Sequence, residues 1–355
     1  MDRHTLFHRI RAYLSRWGFE EKQQPMDSAP VVPVLPLPRR GEPQAAPSLG
    51  LALQGGGALG AFTWGVLDRL LEEPGLPRLS LSGSSAGAVN ACVLASHFTR
   101  GGPPAAREAL ERLWRRVSEA GNLTPQGALP GWLPMPRTGT RFGMEALGMV
   151  SRILSPSQFN PFNLNPLKGI LEDEIDFDAI RDPACPRLMI AATRVRDGSC
   201  RIFTNDDLNL DALLASCTLP QLHHATEIEG EAYWDGGYSA NPPLIALVEQ
   251  EGPGRILLVR LISADFGTRT PKSAREIQTR LNQIAFSRPL SDELAALGHS
   301  PSGPAIDILT LDSRLAARAW TGLGTLDWRY LERLHARGRK LAGEWIAAGW
   351  LRQGL

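Results

Sequence analysis

Apolar and polar residues alternate with two different periods along most of the chain after residue 48. Short apolar runs of strand length are separated by longer stretches with the period of an amphipathic helix. Strands are predicted at residues 49–54, 78–82, 187–193, 200–204, 225–228, 231–234, 255–261 and 305–310. Helices are predicted at residues 60–73, 86–98, 105–119, 271–285 and 327–347. This alternation predicts an α/β fold with a mainly parallel central sheet and helices on both of its faces.

The first 48 residues have a different pattern. Within residues 4–19, Leu6, Ile10, Leu14 and Trp17 fall at helical spacing, and basic side chains line most of the other side. Such a helix can lie on an anionic membrane surface; a helix docked on the body of the protein, or a frayed terminus, is the alternative. Prolines are dense between residues 24 and 48, which is typical of an extended linker. We therefore predict a helix within residues 1–23, a linker over 24–48 and a single domain over 49–355.

The stretch from residue 121 to 168 interrupts the alternation. It is rich in proline and glycine, contains several aromatic and methionine side chains, and has few clear elements. A long irregular insert of this kind is often a lid over an active site, and apolar packing into the core is the alternative. Residues 271–355 form a predicted C-terminal helical part.

Composition excludes several classes of protein. Of the 355 residues, 43% are hydrophobic and 21% are charged, so the chain can bury a large core. A net charge of +1 argues against bulk binding of nucleic acid. The four cysteines lie far apart, which argues against a zinc site or a disulfide scaffold and favours a reducing compartment. The sequence has no apolar run of membrane-spanning length and no secretory signal, so we expect a cytoplasmic protein. Residues 4–19 are the segment expected to make any peripheral contact with the inner membrane surface.

A serine between two glycines follows the second predicted strand. Gly83-Ser84-Ser85-Ala86-Gly87 has the G-x-S-x-G spacing of a nucleophile elbow, a sharp strand-to-helix turn that exposes the serine. Gly83 and Gly87 flank the serine because a Cβ at either position would clash. A plain tight turn is the alternative, but the position between a strand and a helix favours Ser85 as a nucleophile.

A run of glycines follows the first predicted strand. Gly55-Gly56-Gly57-Ala58-Leu59-Gly60 presents backbone N–H groups at the start of a helix, which suits them to stabilising an oxyanion. The run also matches the dinucleotide pattern G-x-G-x-x-G, which requires a carboxylate at the end of the next strand. That strand ends in serine and glycine, so a dinucleotide is disfavoured. The sequence has no metal-ligand spacing, and we expect no metal and no cofactor.

An aspartate meets two glycines at Asp235-Gly236-Gly237, at the end of an apolar strand. Such a turn can aim a carboxylate at a neighbouring group, although by itself it is more typical of an ordinary loop. A serine nucleophile needs a base, which is most often a histidine. Of the seven histidines, His223 and His224 lie in a segment that could approach the serine, but neither has a strong catalytic context.

In this order, the three motifs resemble the patatin-like phospholipase family, whose pattern is G-G-G-x-[RK]-G, then G-x-S-x-G, then D-G-[GA]. Further segments that resemble the family are Ser216–Pro220, Asn241–Pro243 and, for one bacterial branch, Asn160–Leu167. The resemblance covers residues 49–265. Leu59 stands where the family often has arginine or lysine, so a positive charge near the site is absent while the backbone donors remain.

The resemblance implies a serine acyl hydrolase with a Ser–Asp dyad and no histidine. Ser85 would be the nucleophile and Asp235 the base. Backbone amides of Gly55, Gly56, Gly57 and Ala58 would form the oxyanion hole, and Gly83, Gly87, Gly236 and Gly237 would shape the supporting turns. The implied substrates are fatty acyl esters of phospholipids or other acyl glycerides, cleaved through an acyl-enzyme. An esterase acting on small soluble esters is one alternative, and a catalytically silent lipid-binding scaffold is another.

Overall fold

A computed structural model gives the fold of the chain and describes residues 48–123, 156–298, 303–320 and 326–349. The predicted N-terminal helix, the linker up to residue 47 and residues 124–155 of the predicted lid insert lie outside these ranges. The boundaries predicted for those segments therefore stay predictions. None of the helices in the described ranges is both long enough and apolar enough to cross a bilayer.

Strands and helices alternate through the described residues as the sequence predicts. The strands are β1 (Ser48–Leu53), β2 (Arg78–Gly83), β3 (Arg187–Arg194), β4 (Cys200–Thr204), β5 (Thr226–Ile228), β6 (Glu231–Asp235), β7 (Arg255–Arg260) and β8 (Ala305–Thr310). The helices are α1 (Gly60–Leu70), α2 (Ala86–Leu123), α3 (Pro156–Phe159), α4 (Pro166–Glu174), α5 (Phe177–Arg181), α6 (Leu210–Ser216), α7 (Leu244–Glu251), α8 (Ala274–Gly298), α9 (Ser313–Trp320) and α10 (Trp328–Ala347).

The strands form one sheet in the order β5-β6-β3-β2-β1-β7-β8, with β4 also paired to β3. The strands from β3 through β2, β1 and β7 to β8 are parallel, whereas β4, β5 and β6 pair antiparallel to their neighbours. The predicted α/β fold with a mainly parallel sheet is therefore confirmed, with antiparallel strands added at one end.

Alternate residues of the central strands enter two separate cores. In β7, Leu257 and Val259 join the larger core, which includes side chains of α1, α2 and α10. Ile256 and Leu258 join a smaller core with side chains of α7 and α8. Because successive side chains of a strand point to opposite faces, helices cover the sheet on both sides.

The helices predicted at 86–98 and 105–119 correspond to the two parts of α2, whose backbone leaves helical geometry between them at Gly101 and Gly102. The helix predicted at 271–285 differs in extent, because α8 begins at Ala274 and continues through Pro289 to Gly298. Leu290, the residue after Pro289, packs into the smaller core, and this burial supports the extra turns.

Candidate active site

Three loops meet at one edge of the sheet. β1 and β2 are parallel neighbours in which Leu53 pairs with Gly83, so the glycine run and the serine turn leave the sheet side by side. β2 pairs in turn with β3. Asp235 ends the antiparallel strand β6 and pairs with Ala192 of β3. The register therefore brings Asp235 to the edge where Ser85 lies.

Ser85 occupies a strained turn between β2 and α2. Its φ of 53° lies in the left-handed region, which is uncommon for a residue with a side chain. A Cβ at Gly83 would lie 2.7 Å from the Ala88 nitrogen, and a Cβ at Gly87 would lie 2.0 Å from the Leu53 carbonyl oxygen. Glycine is therefore required on both sides, and the backbone has the sharp strand-to-helix turn of a nucleophile elbow.

Two neighbouring serines fix this turn. The Ser85 N–H donates to Ser216 Oγ at 3.0 Å, at the end of α6. The Ser84 hydroxyl donates to the Ala240 carbonyl at 2.5 Å, in the segment that follows Asp235. The elbow is thus tied to the first residue of the segment Ser216–Pro220 and to the residue just before Asn241–Pro243.

The Asp235 carboxylate is fully buried. Its Oδ1 accepts a hydrogen bond from the Gly237 amide at 2.8 Å, where Gly236 and Gly237 begin a short 3-10 turn. Oδ2 makes no hydrogen bond of ordinary geometry with the described residues. Burial raises the pKa of Asp235 to about 7, while the Ser85 side chain and the Gly237 amide act in the opposite direction. The Ser85 side chain is therefore near enough to favour the charged form of the carboxylate, and Oδ2 has no hydrogen-bond partner of ordinary geometry among the described residues.

The glycine run lies against the elbow. The Gly55 amide donates to Asn241 Oδ1 at 2.7 Å, and Asn241 Nδ2 donates to the Phe286 carbonyl at 2.9 Å. Gly57 has a φ of 56°. Within the described ranges, the amides of Gly57 and Ala58 have no hydrogen-bond acceptor. The Gly55 amide is thus already engaged, whereas the amides of Gly57 and Ala58 are free of the other described residues.

An apolar cavity of about 400 Å³ adjoins Ser85. Gly57 and Ala58 line it next to the serine. Its apolar wall consists of Ala86, Val89, Leu113, Trp114, Val117, Pro166, Leu167, Ile170, Cys217, Leu219, Leu222 and Leu326, together with Ala120. The volume lies within the range of small-molecule sites, and the wall suits a hydrocarbon group.

A model of the patatin-like phospholipase family matches residues 51–248, more than half of the chain. The matched range contains the glycine run, Ser85 and Asp235. The chain belongs to the patatin-like phospholipase family. A comparison with curated proteins gives no match.

Solved structures are similar to this patatin-like chain at low sequence identity. VipD from Legionella pneumophila is 14% identical with a TM-score of 0.41, and the match covers 85% of this chain and 67% of VipD. ExoU in the ExoU–SpcU complex of Pseudomonas aeruginosa is 16% identical with a TM-score of 0.39, over 85% of this chain and 51% of that one. A further ExoU structure is 19% identical with a TM-score of 0.33, over 85% and 53%. The patatin-like chain thus spans about half the length of the ExoU chains.

The histidines of the described ranges do not line the cavity of this patatin-like site. His97 Nε2 lies 3.0 Å from the Glu174 carbonyl oxygen, and His335 Nε2 lies 3.0 Å from Asp68 Oδ2. His223 and His224 line a different, polar cavity. These ranges also hold no group of three or more histidine, cysteine, aspartate or glutamate side chains arranged to bind a metal.

Asn90 and Trp114 support the site and were not identified from the sequence. Asn90 Nδ2 donates to the Gly60 carbonyl at 3.2 Å and to the Ala86 carbonyl at 2.8 Å, at the starts of α1 and α2. Trp114 Nε1 donates to Asn90 Oδ1 at 3.1 Å and its ring lines the cavity. The available signal in the sequence was an asparagine among the apolar residues of a predicted helix, because such a residue requires polar partners once it is buried.

Proposed function

We propose that the chain is a serine acyl hydrolase in which Ser85 is the nucleophile and Asp235 is the base. One observation carries the proposal: the Asp235 carboxylate is fully buried near enough to the Ser85 side chain for that side chain to lower its pKa, and Oδ2 has no hydrogen bond of ordinary geometry to the described residues. A carboxylate with a pKa of about 7 is a better proton acceptor at neutral pH than an ordinary aspartate.

Acylation follows from this arrangement. The Ser85 oxygen attacks the carbonyl carbon of the ester while its proton passes to Asp235. The C–O bond to the leaving alcohol then breaks, and the alcohol takes the proton from Asp235. The acyl group remains on Ser85. In deacylation, Asp235 accepts a proton from water, the resulting hydroxide attacks the acyl-enzyme, and the proton returns to Ser85 as the fatty acid leaves.

Backbone amides of Gly56, Gly57 and Ala58 hold the oxyanion in this proposal. Gly57 and Ala58 line the cavity beside Ser85, and their free N–H groups support this assignment. Gly55, predicted as a fourth donor, takes a different part because its amide is engaged by Asn241. We assign Gly55 and Asn241 to positioning the run.

Fatty acyl esters of phospholipids or other acyl glycerides are the proposed substrates. The apolar cavity next to Ser85 supports them, because it removes a hydrocarbon chain from water beside the reacting carbonyl. A small soluble ester would leave most of this apolar wall unused. The four cysteines are free thiols, which supports the proposed location in the cytoplasm, with the inner membrane surface as the source of substrate.

Hydrolysis of short-chain and long-chain p-nitrophenyl esters and of a lipid panel tests the proposal. The full chain should hydrolyse long-chain esters with the higher kcat/KM, and Ser85→Ala should abolish all hydrolysis while retaining the wild-type melting curve. Preference for short chains would favour the small-ester alternative. A wild-type protein without hydrolysis or fluorophosphonate labelling would favour the silent scaffold.

A further inference from the structure

A second cavity, of about 550 Å³, is lined mostly by polar side chains. It lies between the start of α4, the start of α6 and the segment leading into β5. The side chains that carry its chemistry are Asn165, Lys168, Asp211, His223, His224 and Glu227. The mechanism proposed for Ser85 and Asp235 uses none of them.

The polar cavity and the apolar cavity share a wall. Asn165 lines both. Along the chain before β5, Cys217 and Leu219 line the apolar cavity, whereas Thr218 lines the polar one. Asn165 Oδ1 caps α4 by accepting from the Leu167 amide at 3.1 Å. Asn165 therefore lies at the boundary between the apolar cavity beside Ser85 and the polar cavity.

The polar cavity contains charges of both signs. Lys168, Asp211 and Glu227 make no ion pair with the described residues. Together they give one positive and two negative charges, so these three side chains sum to one negative charge.

Two buried ring nitrogens in the same cavity lack partners. His223 Nδ1 and His224 Nε2 are buried without a hydrogen-bond partner in the described part of the chain. Burial, and secondarily the neighbouring His224, lower the pKa of His223, which keeps its imidazole neutral at pH 7. Polar atoms that are buried and unsatisfied mark a place where a ligand can supply the missing hydrogen bonds.

We propose that the polar cavity binds a zwitterionic phospholipid head group, with a phosphate and an ammonium group, while the acyl chain fills the apolar cavity. This inference rests on the proposed function and specifies its substrate class. Lys168 and the Asn165 amide meet the phosphate, and Asp211 and Glu227 meet the ammonium group. A head group with only negative charge meets one cation and two carboxylates, so it binds more weakly.

Binding by the full chain carrying Ser85→Ala tests the inference without requiring hydrolysis. Monomeric short-chain phosphatidylethanolamine and phosphatidylglycerol with identical acyl chains are titrated in a calorimeter. Phosphatidylethanolamine should bind about tenfold more tightly. In the same background, the double change Asp211→Asn and Glu227→Gln should remove this preference, and Lys168→Met should weaken binding of both lipids.

Matched controls come from exposed residues outside the cavity. Glu108→Gln removes one negative charge and Lys272→Met removes one positive charge, and each should leave both affinities unaltered. Equal affinity of the Ser85→Ala protein for the two lipids, or an unchanged preference after the Asp211 and Glu227 substitutions, would overturn the inference. Glycerophosphoethanolamine, which lacks acyl chains, binding as tightly as the lipid would also overturn it, because the apolar cavity would then contribute nothing to binding. If the wild-type protein hydrolysed no ester, that result would contradict the proposed function, whatever the binding measurements gave.

Discussion

Asn241 shows how one side chain joins the glycine run to α8. The asparagine is fully buried, and its amide group bonds the Gly55 N–H and the Phe286 carbonyl. We expect Asn241→Ala to lower kcat at least about tenfold, because the glycine run loses its anchor beside Ser85. Steady-state kinetics on a p-nitrophenyl ester measures this.

Asn205 is a matched control for that change. It is also buried, and it bonds the Ile180 and Pro186 carbonyls and the Leu188 amide away from the site. Asn205→Ala should lower the melting temperature by about as much as Asn241→Ala does, while leaving kcat near the wild-type value. Equal losses of kcat in the two variants would show that Asn241 contributes stability alone.

Gly57 is the residue whose conformation aims the free amides. Its φ is 56°, and a Cβ there would meet no atom within 4 Å, so a side chain brings strain without a clash. We expect Gly57→Val to lower kcat at least about a hundredfold by turning the amides away from the oxyanion. Circular dichroism should still show a folded protein.

Gly75 offers the same strain far from the site. It has a φ of 72° and equally open surroundings. Gly75→Val should lower the free energy of unfolding by about as much as Gly57→Val does, and it should leave kcat unchanged. If Gly57→Val retained wild-type kcat, the oxyanion hole would lie elsewhere.

At the scale of elements, the packing of α1 against α10 depends on Asp68. Arg107 Nε donates to Asp68 Oδ1 at 2.7 Å, and His335 and Arg339 both contact Oδ2. Burial alone would raise the pKa of Asp68, but the hydrogen bonds from His335, Arg107 and Arg339 hold it far below the usual value.

Asp68→Asn should lower the free energy of unfolding by about 2–3 kcal/mol at pH 7. Because the pKa is lower in the folded state, this stabilisation is present above the unfolded value and is lost as the pH falls below about 4. Urea unfolding across pH should show the two proteins converging at low pH. Asp178→Asn, at an exposed pair with Arg181, should change the free energy of unfolding by less than about 1 kcal/mol. A constant difference between the wild type and Asp68→Asn down to the lowest accessible pH would refute this account.

The strands were predictable from the sequence because their apolar runs are short and bounded by turns. All eight lie within one residue of their predicted bounds at each end. Short helices such as α6 and α7 were not predicted, because they have too few turns for a clear period. α6 begins instead with a local cap, in which the Asn209 side chain accepts from the Ala212 amide.

The site was predictable only in part. The three motifs locate the turns, but the contact between Gly55 and Asn241 joins residues 186 positions apart. Which amide of the glycine run is engaged depends on strand register and on α8, and no local pattern encodes either. The polar cavity was missed for the same reason, since α4, α6 and the segment before β5 come together only in the folded chain.

At the scale of the whole molecule, the sheet begins at Ser48 and the site lies entirely beyond it. Removing residues 1–47 should therefore leave hydrolysis of a short-chain ester intact. If residues 4–19 form a basic amphipathic helix at the membrane, the truncation should weaken sedimentation with anionic vesicles, and added salt should weaken it in the full chain. Unchanged vesicle binding with a lower melting temperature would instead make this segment part of the fold.

Fluorophosphonate labelling across pH tests the Ser85–Asp235 dyad most directly. Wild-type protein should carry one adduct, mapped to Ser85 by mass spectrometry. Its labelling rate should rise with pH as Asp235 loses its proton and level off above about 7, because only the carboxylate form accepts the serine proton.

Asp235→Asn should label at least about a hundredfold more slowly, without the rise in rate near pH 7. His223→Ala and His224→Ala should label like the wild type. An adduct on another residue, or a wild-type labelling rate in Asp235→Asn, would contradict the dyad. If the labelling rate of a histidine variant fell as far as that of Asp235→Asn, the site would use a catalytic triad that includes this histidine.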